Sequence, residues 1–340
     1  MRMYTHYAGI DLHKRSSTWV IINPNREVVW ESEILCTPHD LTEGLARCPV
    51  PIQTTQATIE PVCGWQWYMD MLIHAGMDTV LANPTKVRLI AQSKHKTDKN
   101  DARMLAELLS TGYLPTAYRA PDDIQSLRAL VRERYYFIQL RTSIKNRIKG
   151  VVTRSGIHDI IDTCLTGMGR TYAERYNLGE ITDLHALLST LTVYTKRLER
   201  DIAKKLKDHP LDTLLRSVPV VGTLTAGTII AEVGDFSRFK TPKQLGSYAG
   251  LVPTQRSSGE RSRYGSITKI GSKYLRHTLV ESSMRFRVHH DPFLYAWYER
   301  IKSTHSPMKA RVALARKLLT IMWYMVKTNT PYTPRQHSAE

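Results

Sequence analysis

Residues 7–35 read YAGIDLHKRSSTWVIINPNREVVWESEIL, and the fold follows from how this stretch is divided. "YAGIDL" is an apolar run, and "STWVII" and "EVVWESEIL" follow it at short spacing. "NPNRE" supplies the turn between the second run and the third. The pattern predicts three strands in an antiparallel meander. Asp11 stands inside the first of them, and an acid in an apolar strand needs a partner.

Outward from this stretch, the periodicity changes in a regular order. A helix is expected from "TPHDLTEGLA" (37–46), a strand over "TTQATIE" ending on Glu60, and a helix through "GWQWYMDMLIHAG" (64–76). "MDTVLAN" (77–83) reads as a strand. "PTKVRLIAQ" (84–92) reads as a helix opened by proline, and "DARMLAELLSTG" (101–112) as one closed by glycine. A three-strand meander followed by alternating strand and helix is the order of a ribonuclease-H-like α/β domain, expected over residues 1–115. Sugar-kinase and actin-type ATPases share this strand order. They follow the first-strand aspartate with a glycine-bearing phosphate turn, whereas Leu12, His13 and Lys14 stand here, which argues against nucleotide binding.

Residues 116–210 are expected to be helical. "PDDIQSLRALVRERYYFIQLRTSIKNRIKGVV" (121–152) opens on Asp122 or Asp123 as a cap and spaces Leu127, Val131, Ile138, Ile144 and Ile148 at helical intervals. It carries seven Lys/Arg and one acid between 124 and 152. A second run (184–209) has Leu191, Leu198, Ile202 and Leu206. The pair reads as a helical hairpin, a coiled-coil dimerisation segment, or a bundle with a solvated basic face. Residues 211–330 form a third, mainly helical region. "LLRSVPVVGTLTAGTIIAEVGDFSRF" (214–239) resembles a helix-hairpin-helix, a module that grips a DNA phosphate through backbone amides. Val220 stands where its first glycine is expected, so a purely structural hairpin is equally open. "PTQRSSGERSRYGS" (253–266) reads as a basic Ser/Gly loop, followed by a helical tail.

Composition narrows the function. The formal charge of +17, from 48 Lys+Arg against 31 Asp+Glu, points to a polyanion, and nucleic acid is the first candidate. No run approaches the roughly 20 apolar residues that span a bilayer, and the N-terminus lacks a signal-peptide pattern. Cys36, Cys48, Cys63 and Cys164 show no metal-ligand spacing and read as reduced core thiols of a cytoplasmic protein.

Four acids stand out: Asp11, Glu60, Asp98 and Asp101. The last two, three apart at a helix start, share a face. Clustered carboxylates at about 4 Å repel by about 4 kcal/mol per pair at intermediate dielectric. Divalent cations relieve this, and Mg²⁺ (or Mn²⁺) suits hard oxygen ligands and bridges phosphates. The plainer reading makes Asp98 an N-cap with Asp101 at the third helical position.

Taken together, "GIDLHK", "ATIEPVCGW", "KTDKNDARMLAELL" and "GLVPTQRSSGERSRYGSITKIGSKYLR" resemble the DEDD transposases of insertion-sequence family 110, in particular its 1111 subgroup. The resemblance spans nearly the whole chain. It implies a RuvC-like domain, a coiled-coil middle and a C-terminal transposase domain, acting as a bridge-RNA-guided recombinase on double-stranded donor and target DNA. It implies that Asp11, Glu60, Asp98 and Asp101 hold Mg²⁺, and that Ser258, with Ser257 as alternate, attacks a phosphodiester and forms a 5′-phosphoserine link. Arg256, Arg261, Arg263 and Lys269 are expected to neutralise charge on the phosphate. A basic helix with Arg128, Arg132, Arg141, Lys145, Arg147 and Lys149, interleaved with Tyr135, Tyr136 and Phe137, is the expected contact for structured RNA. The acids and the serines lie some 157 residues apart in sequence, so folding or a homo-oligomer, dimer or tetramer, must assemble the site. The alternatives are a metal-dependent junction nuclease using water, and a non-catalytic nucleic-acid-binding scaffold.

Overall fold

A computed structural model describes residues 4–62, 64–90, 97–156, 162, 165–166, 169–258 and 261–334, with the backbone alone at 170, 172, 256–258 and 261–264. The chain forms two compact units, Met1–Arg119 and Ala120–Glu340.

In the first unit, β1 (His6–Leu12), β2 (Ser16–Ile22) and β3 (Val28–Leu35) form the expected meander. β4 (Thr55–Ile59) and β5 (Asp78–Leu81) extend it in parallel, giving the order β3-β2-β1-β4-β5. Period-2 alternation splits the sheet between two layers. Ala8, Ile10, Leu12, Trp19 and Ile21 share a core with Leu41 of α1 (Pro38–Ala46) and with Tyr68, Met69 and Leu72 of α2 (Trp65–His74). Beneath them the Trp19 indole N–H donates to the Tyr68 hydroxyl at 2.8 Å, and Ser17 Oγ meets the same hydroxyl at 2.6 Å. Burial drives the Tyr68 phenol far above its ordinary range.

Val20 and Ile22 pack the other face against Ala102 and Ala106 of α4 (Asp98–Ser110). Here Gly9 decides the spacing: a Cβ on it would lie 1.9 Å from the Ala102 carbonyl oxygen. Only a glycine strand position opposite alanines lets α4 lie this close. α3 (Pro84–Ile90) connects β5 towards α4, opened by proline as expected.

Among the described residues, the regular structure of the second unit is helical apart from one hairpin. α5 (Asp122–Arg154) and α7 (Gly179–Leu206) run antiparallel, with α6 (Gly169–Arg175) packed against α7. Ser126 meets Lys205, Arg134 meets Glu199 and Arg147 meets Glu180. Ile144, Ile148 and Val151 of α5 share a core with Ile181, Leu188 and Leu191 of α7, so these apolar positions pack together within one chain, while Leu187 and Val193 of α7 are exposed. Asp122 and Asp123 lie inside the first turn of α5, and Pro121 occupies the cap position without a side-chain bond, which corrects the expected aspartate cap.

α8 (Pro210–Arg216), α9 (Thr223–Val233) and α10 (Pro242–Tyr248) follow. α9 is almost wholly buried, and Gly227 faces Ile202 and Leu206 of α7, which ties residues 179–206 to those beyond 210. Between α8 and α9, Val220 has φ 66°, a left-handed conformation that β-branched residues avoid. The turn thus keeps the backbone shape for which a hairpin glycine was expected. β6 (Pro253–Ser258) and β7 (Arg261–Ile267) then form an antiparallel hairpin where a loop was expected, because their polar sequence carries no apolar alternation. α11 (Lys273–Arg285), α12 (Pro292–Thr304) and α13 (Pro307–Thr328) complete the unit.

Cys36 and Cys48 are free, partly buried thiols packed against the first core. Their pKa values are pushed up by burial. Cys63 and Cys164 lie outside the described residues.

Candidate active site

β1 and β4 run parallel with Ile10 opposite Ile59. Asp11 therefore comes next on β1, and Glu60 follows the end of β4 beside it. Asp11 falls on the same face as Gly9, the side covered by α4, because strand positions alternate. Asp98 and Asp101 stand in the first turn of α4, where the helix dipole favours acids. The close seating on Gly9 brings that turn over the end of β1.

The cap of α4 is Thr97, whose side chain accepts from the Asn100 N–H at 3.2 Å. Asp98 is the first helical residue and is not needed as a cap, which corrects the plainer reading. Its carboxylate, 62% exposed, instead meets His13, with Nε2 3.4 Å from Asp98 Oδ2. The same nitrogen is 3.2 Å from Asp11 Oδ2. One ligand atom from each of Asp11, His13 and Asp98 lies within 4.8 Å of the others. Among the described residues this is the tight set. Asp101, one turn along α4, acts on it through charge, and Glu60 is placed beside it by strand register.

Burial raises the pKa of Asp11 above the ordinary carboxylate value, the negative charges of Asp98 and Asp101 add to the rise, and His13 opposes it. A half-buried acid among acids is short of positive charge. A hard divalent cation answers that shortage, so the donor set fits one. His13 was missed as a site residue in the sequence. Its neighbourhood to Asp98 depends on tertiary packing, although its place two residues after a strand aspartate was a usable signal.

The serine pair lies in the second unit. Ser257 pairs with Ser262, Ser258 with Arg261, and Arg256 with Arg263 across the β6–β7 hairpin. Gly259 lies outside the described residues. The hairpin's base is tightly rooted: the Thr268 N–H donates to the Val252 carbonyl at 2.9 Å, and the Ser272 N–H to the Tyr248 carbonyl at 3.2 Å. Gly271, at φ 104°, has no room for a Cβ, which would stand 2.0 Å from the Tyr248 oxygen. Lys269 is exposed at this base.

The basic residues of α5 divide into two groups. Arg128 Nε donates to the Ala231 carbonyl at 2.8 Å. Arg132 forms a bidentate pair with Glu232, at 2.8 and 3.0 Å, and Glu232 is fully buried. Ser272 donates to the same carboxylate at 2.8 Å, and the Arg132 guanidinium lies over the Tyr274 ring. These two arginines are engaged in the fold's own contacts. Arg141 and Lys145 are half-exposed, Lys149 is exposed, and exposed Arg147 is paired with Glu180. Of the interleaved aromatics, Tyr135 packs edge-on to Tyr274 and Phe137 lies against Tyr194, while Tyr136 is exposed.

A sheet of this order, with acids at the ends of two neighbouring parallel strands and on the helix crossing them, defines a ribonuclease-H-like domain of the kind that processes phosphodiesters. Residues 8–156 match the DEDD transposase domain of the IS110 type, which is RuvC-like, and residues 212–299 match the "Transposase IS116/IS110/IS902 family". The chain belongs to this family of transposases. It is 28% identical to the transposase for insertion sequence element IS1111A of Coxiella burnetii, over 78% of this chain and 76% of that one. It is 26% identical to the transposase for insertion sequence element IS1328 of Yersinia enterocolitica, over 86% and 89% of the two chains. It is also 26% identical to the pilin gene-inverting protein of Moraxella bovis, over 97% and 98%. No helix among the described residues is long and apolar enough to cross a membrane.

Proposed function

We propose that the chain is a site-specific DNA recombinase that excises and inserts a mobile element, using a serine nucleophile and a divalent-cation site, directed by a structured guide RNA. One observation carries this reading. The acids and the serine pair fall within the two family-matched segments of a single chain, the serines in a basic hairpin. The names of the relatives, insertion-sequence transposases and a gene-inverting protein, support recombination of DNA as the outcome.

The acid set Asp11, Glu60, Asp98 and Asp101 would hold Mg²⁺ or Mn²⁺. When bound, such an ion supplies positive charge that stabilises oxyanions developing at a phosphate. The Ser258 hydroxyl (or that of Ser257) attacks phosphorus, the bond to the 3′ oxygen breaks, and the serine proton leaves with that oxygen as a 3′-hydroxyl. A second 3′-hydroxyl then attacks the 5′-phosphoserine, and the serine is released as the new phosphodiester forms. A serine hydroxyl is a weak nucleophile at neutral pH. Arg256, Arg261, Arg263 and Lys269 would offset the charge gathering on the phosphate. Lys145 and Lys149, with Arg141, suit the phosphates of a structured RNA, and base pairing to that RNA would supply target choice. The active form would be a dimer or tetramer in the bacterial cytoplasm.

A specific observation favours one other reading. Asp11, His13 and Asp98 gather entirely within the first unit, and a metal-dependent nuclease with water as nucleophile needs no more. Trapping a covalent protein–DNA adduct separates the two. The adduct should vanish in Ser258→Ala or in Ser257→Ala. Strand cleavage at full rate in both variants would assign the chemistry to water. Sequencing the RNA that co-purifies with the chain tests the guide.

A further inference from the structure

The proposed chemistry uses four acids and leaves His13 without a role. Its ring nevertheless stands between two of them, 3.2 Å from Asp11 and 3.4 Å from Asp98 through the same Nε2 atom. The ring is presented by a pinned turn. The His13 N–H donates to the Ser16 carbonyl at 2.9 Å, and the Cys36 thiol donates to the His13 carbonyl at 3.4 Å.

Neighbouring ligand atoms of an octahedral ion with bonds of about 2.1 Å lie about 3 Å apart. The two separations measured from Nε2 are close to that spacing, and all three atoms keep within 4.8 Å. The arrangement is that of three donors around one ion. Two are carboxylate oxygens, and the third is an imidazole nitrogen.

We infer that His13 is a nitrogen ligand of the cation site, so that the site prefers a first-row transition ion such as Mn²⁺ to Mg²⁺. This inference rests on the reading of the acids as a cation site. Mg²⁺ is served best by oxygen ligands, whereas transition divalent ions gain from an imidazole. Replacing the ring therefore lowers affinity for Mn²⁺ more than for Mg²⁺.

The test uses the purified full-length chain and Mn²⁺ itself. Pulsed EPR of bound Mn²⁺ should show nitrogen coupling from one imidazole, and the coupling should disappear in His13→Gln and His13→Ala. Titration of the free Mn²⁺ signal should show affinity falling about tenfold in both variants, with Mg²⁺ competition changing by about twofold or less. If Mn²⁺ binds in an Asp11-dependent way but the wild-type chain shows no nitrogen coupling, His13 is not a ligand and the acid site stands. If Asp11→Asn binds Mn²⁺ as tightly as the wild type, the acid-site reading and this inference fall together. The wild-type spectrum needs no variant to fold.

Discussion

Gly9→Ala places one methyl group at the seam that holds the acids together. The new Cβ would lie 1.9 Å from the Ala102 carbonyl oxygen and 2.6 Å from the Ala106 nitrogen. Both atoms are helix backbone and cannot swing aside. Restoring ordinary contact at about 3.4 Å requires α4 to move outward by about 1.5 Å. Overpacking of this kind costs about 1–3 kcal/mol, occasionally more, offset by about 0.5–1 kcal/mol from the stiffer unfolded chain. A net loss of about 1 kcal/mol corresponds to a fall in Tm of roughly 3–8 °C for a unit of this size. Asp98 stands one turn before Ala102 on the same helix and moves with it. Its present 3.4 Å separation from His13 would widen to about 5 Å, beyond the reach of a single ion. Thermal unfolding followed by circular dichroism, with Mn²⁺ titration of the same samples, measures both effects. An unchanged Tm together with Mn²⁺ affinity within twofold of the wild type would refute the reasoning.

Other substitutions test separate parts of the structure. Glu232→Ala strips the buried partner from Arg132; because that side chain is 46% exposed and can hydrate, the loss should fall near or below the roughly 3 kcal/mol floor for broken buried pairs, with Glu232→Gln milder, both read by urea unfolding. Val220→Gly relieves a left-handed valine and should raise stability by about 1 kcal/mol; a loss would mean that its packing outweighs the strain. Asp11 has its pKa raised in the fold, so its ionised form is disfavoured there: the favourable contribution is present below the ordinary value of 3.8 and is lost as pH rises through the folded value. Without divalent cation, Asp11→Asn should therefore unfold at a higher temperature than wild type at pH 7, with the gap closing below 3.8; a variant less stable at pH 7 contradicts the charge crowding.

The local periods of the chain were enough to read the first unit. Apolar alternation through "YAGIDL" and "STWVII", a turn at "NPNRE", and prolines and capping residues before α1 and α3 are properties of neighbouring residues, and neighbouring residues set strand and helix. The acids Asp11, Asp98 and Asp101 were legible for the same reason, since a polar position inside an apolar strand and a pair three apart at a helix start stand out locally. The meeting of His13 with Asp11 and Asp98 was not legible. It follows from the turn after β1 and from α4 settling on Gly9, two events separated by some 90 residues in sequence. The fates of Arg128 and Arg132 were equally hidden, because a basic helix reads the same whether its charges face solvent or a buried glutamate about 100 residues away. Sequence by itself determined most of the helices and strands of the first unit and which side chains are candidates for chemistry, because those choices are made over a few residues, whereas the polar β6–β7 hairpin reads as a loop. Tertiary structure alone decided which of those side chains meet, because the distances that gather Asp11 and Asp98 around His13 or engage Arg132 with Glu232 are set by packing between elements far apart along the chain.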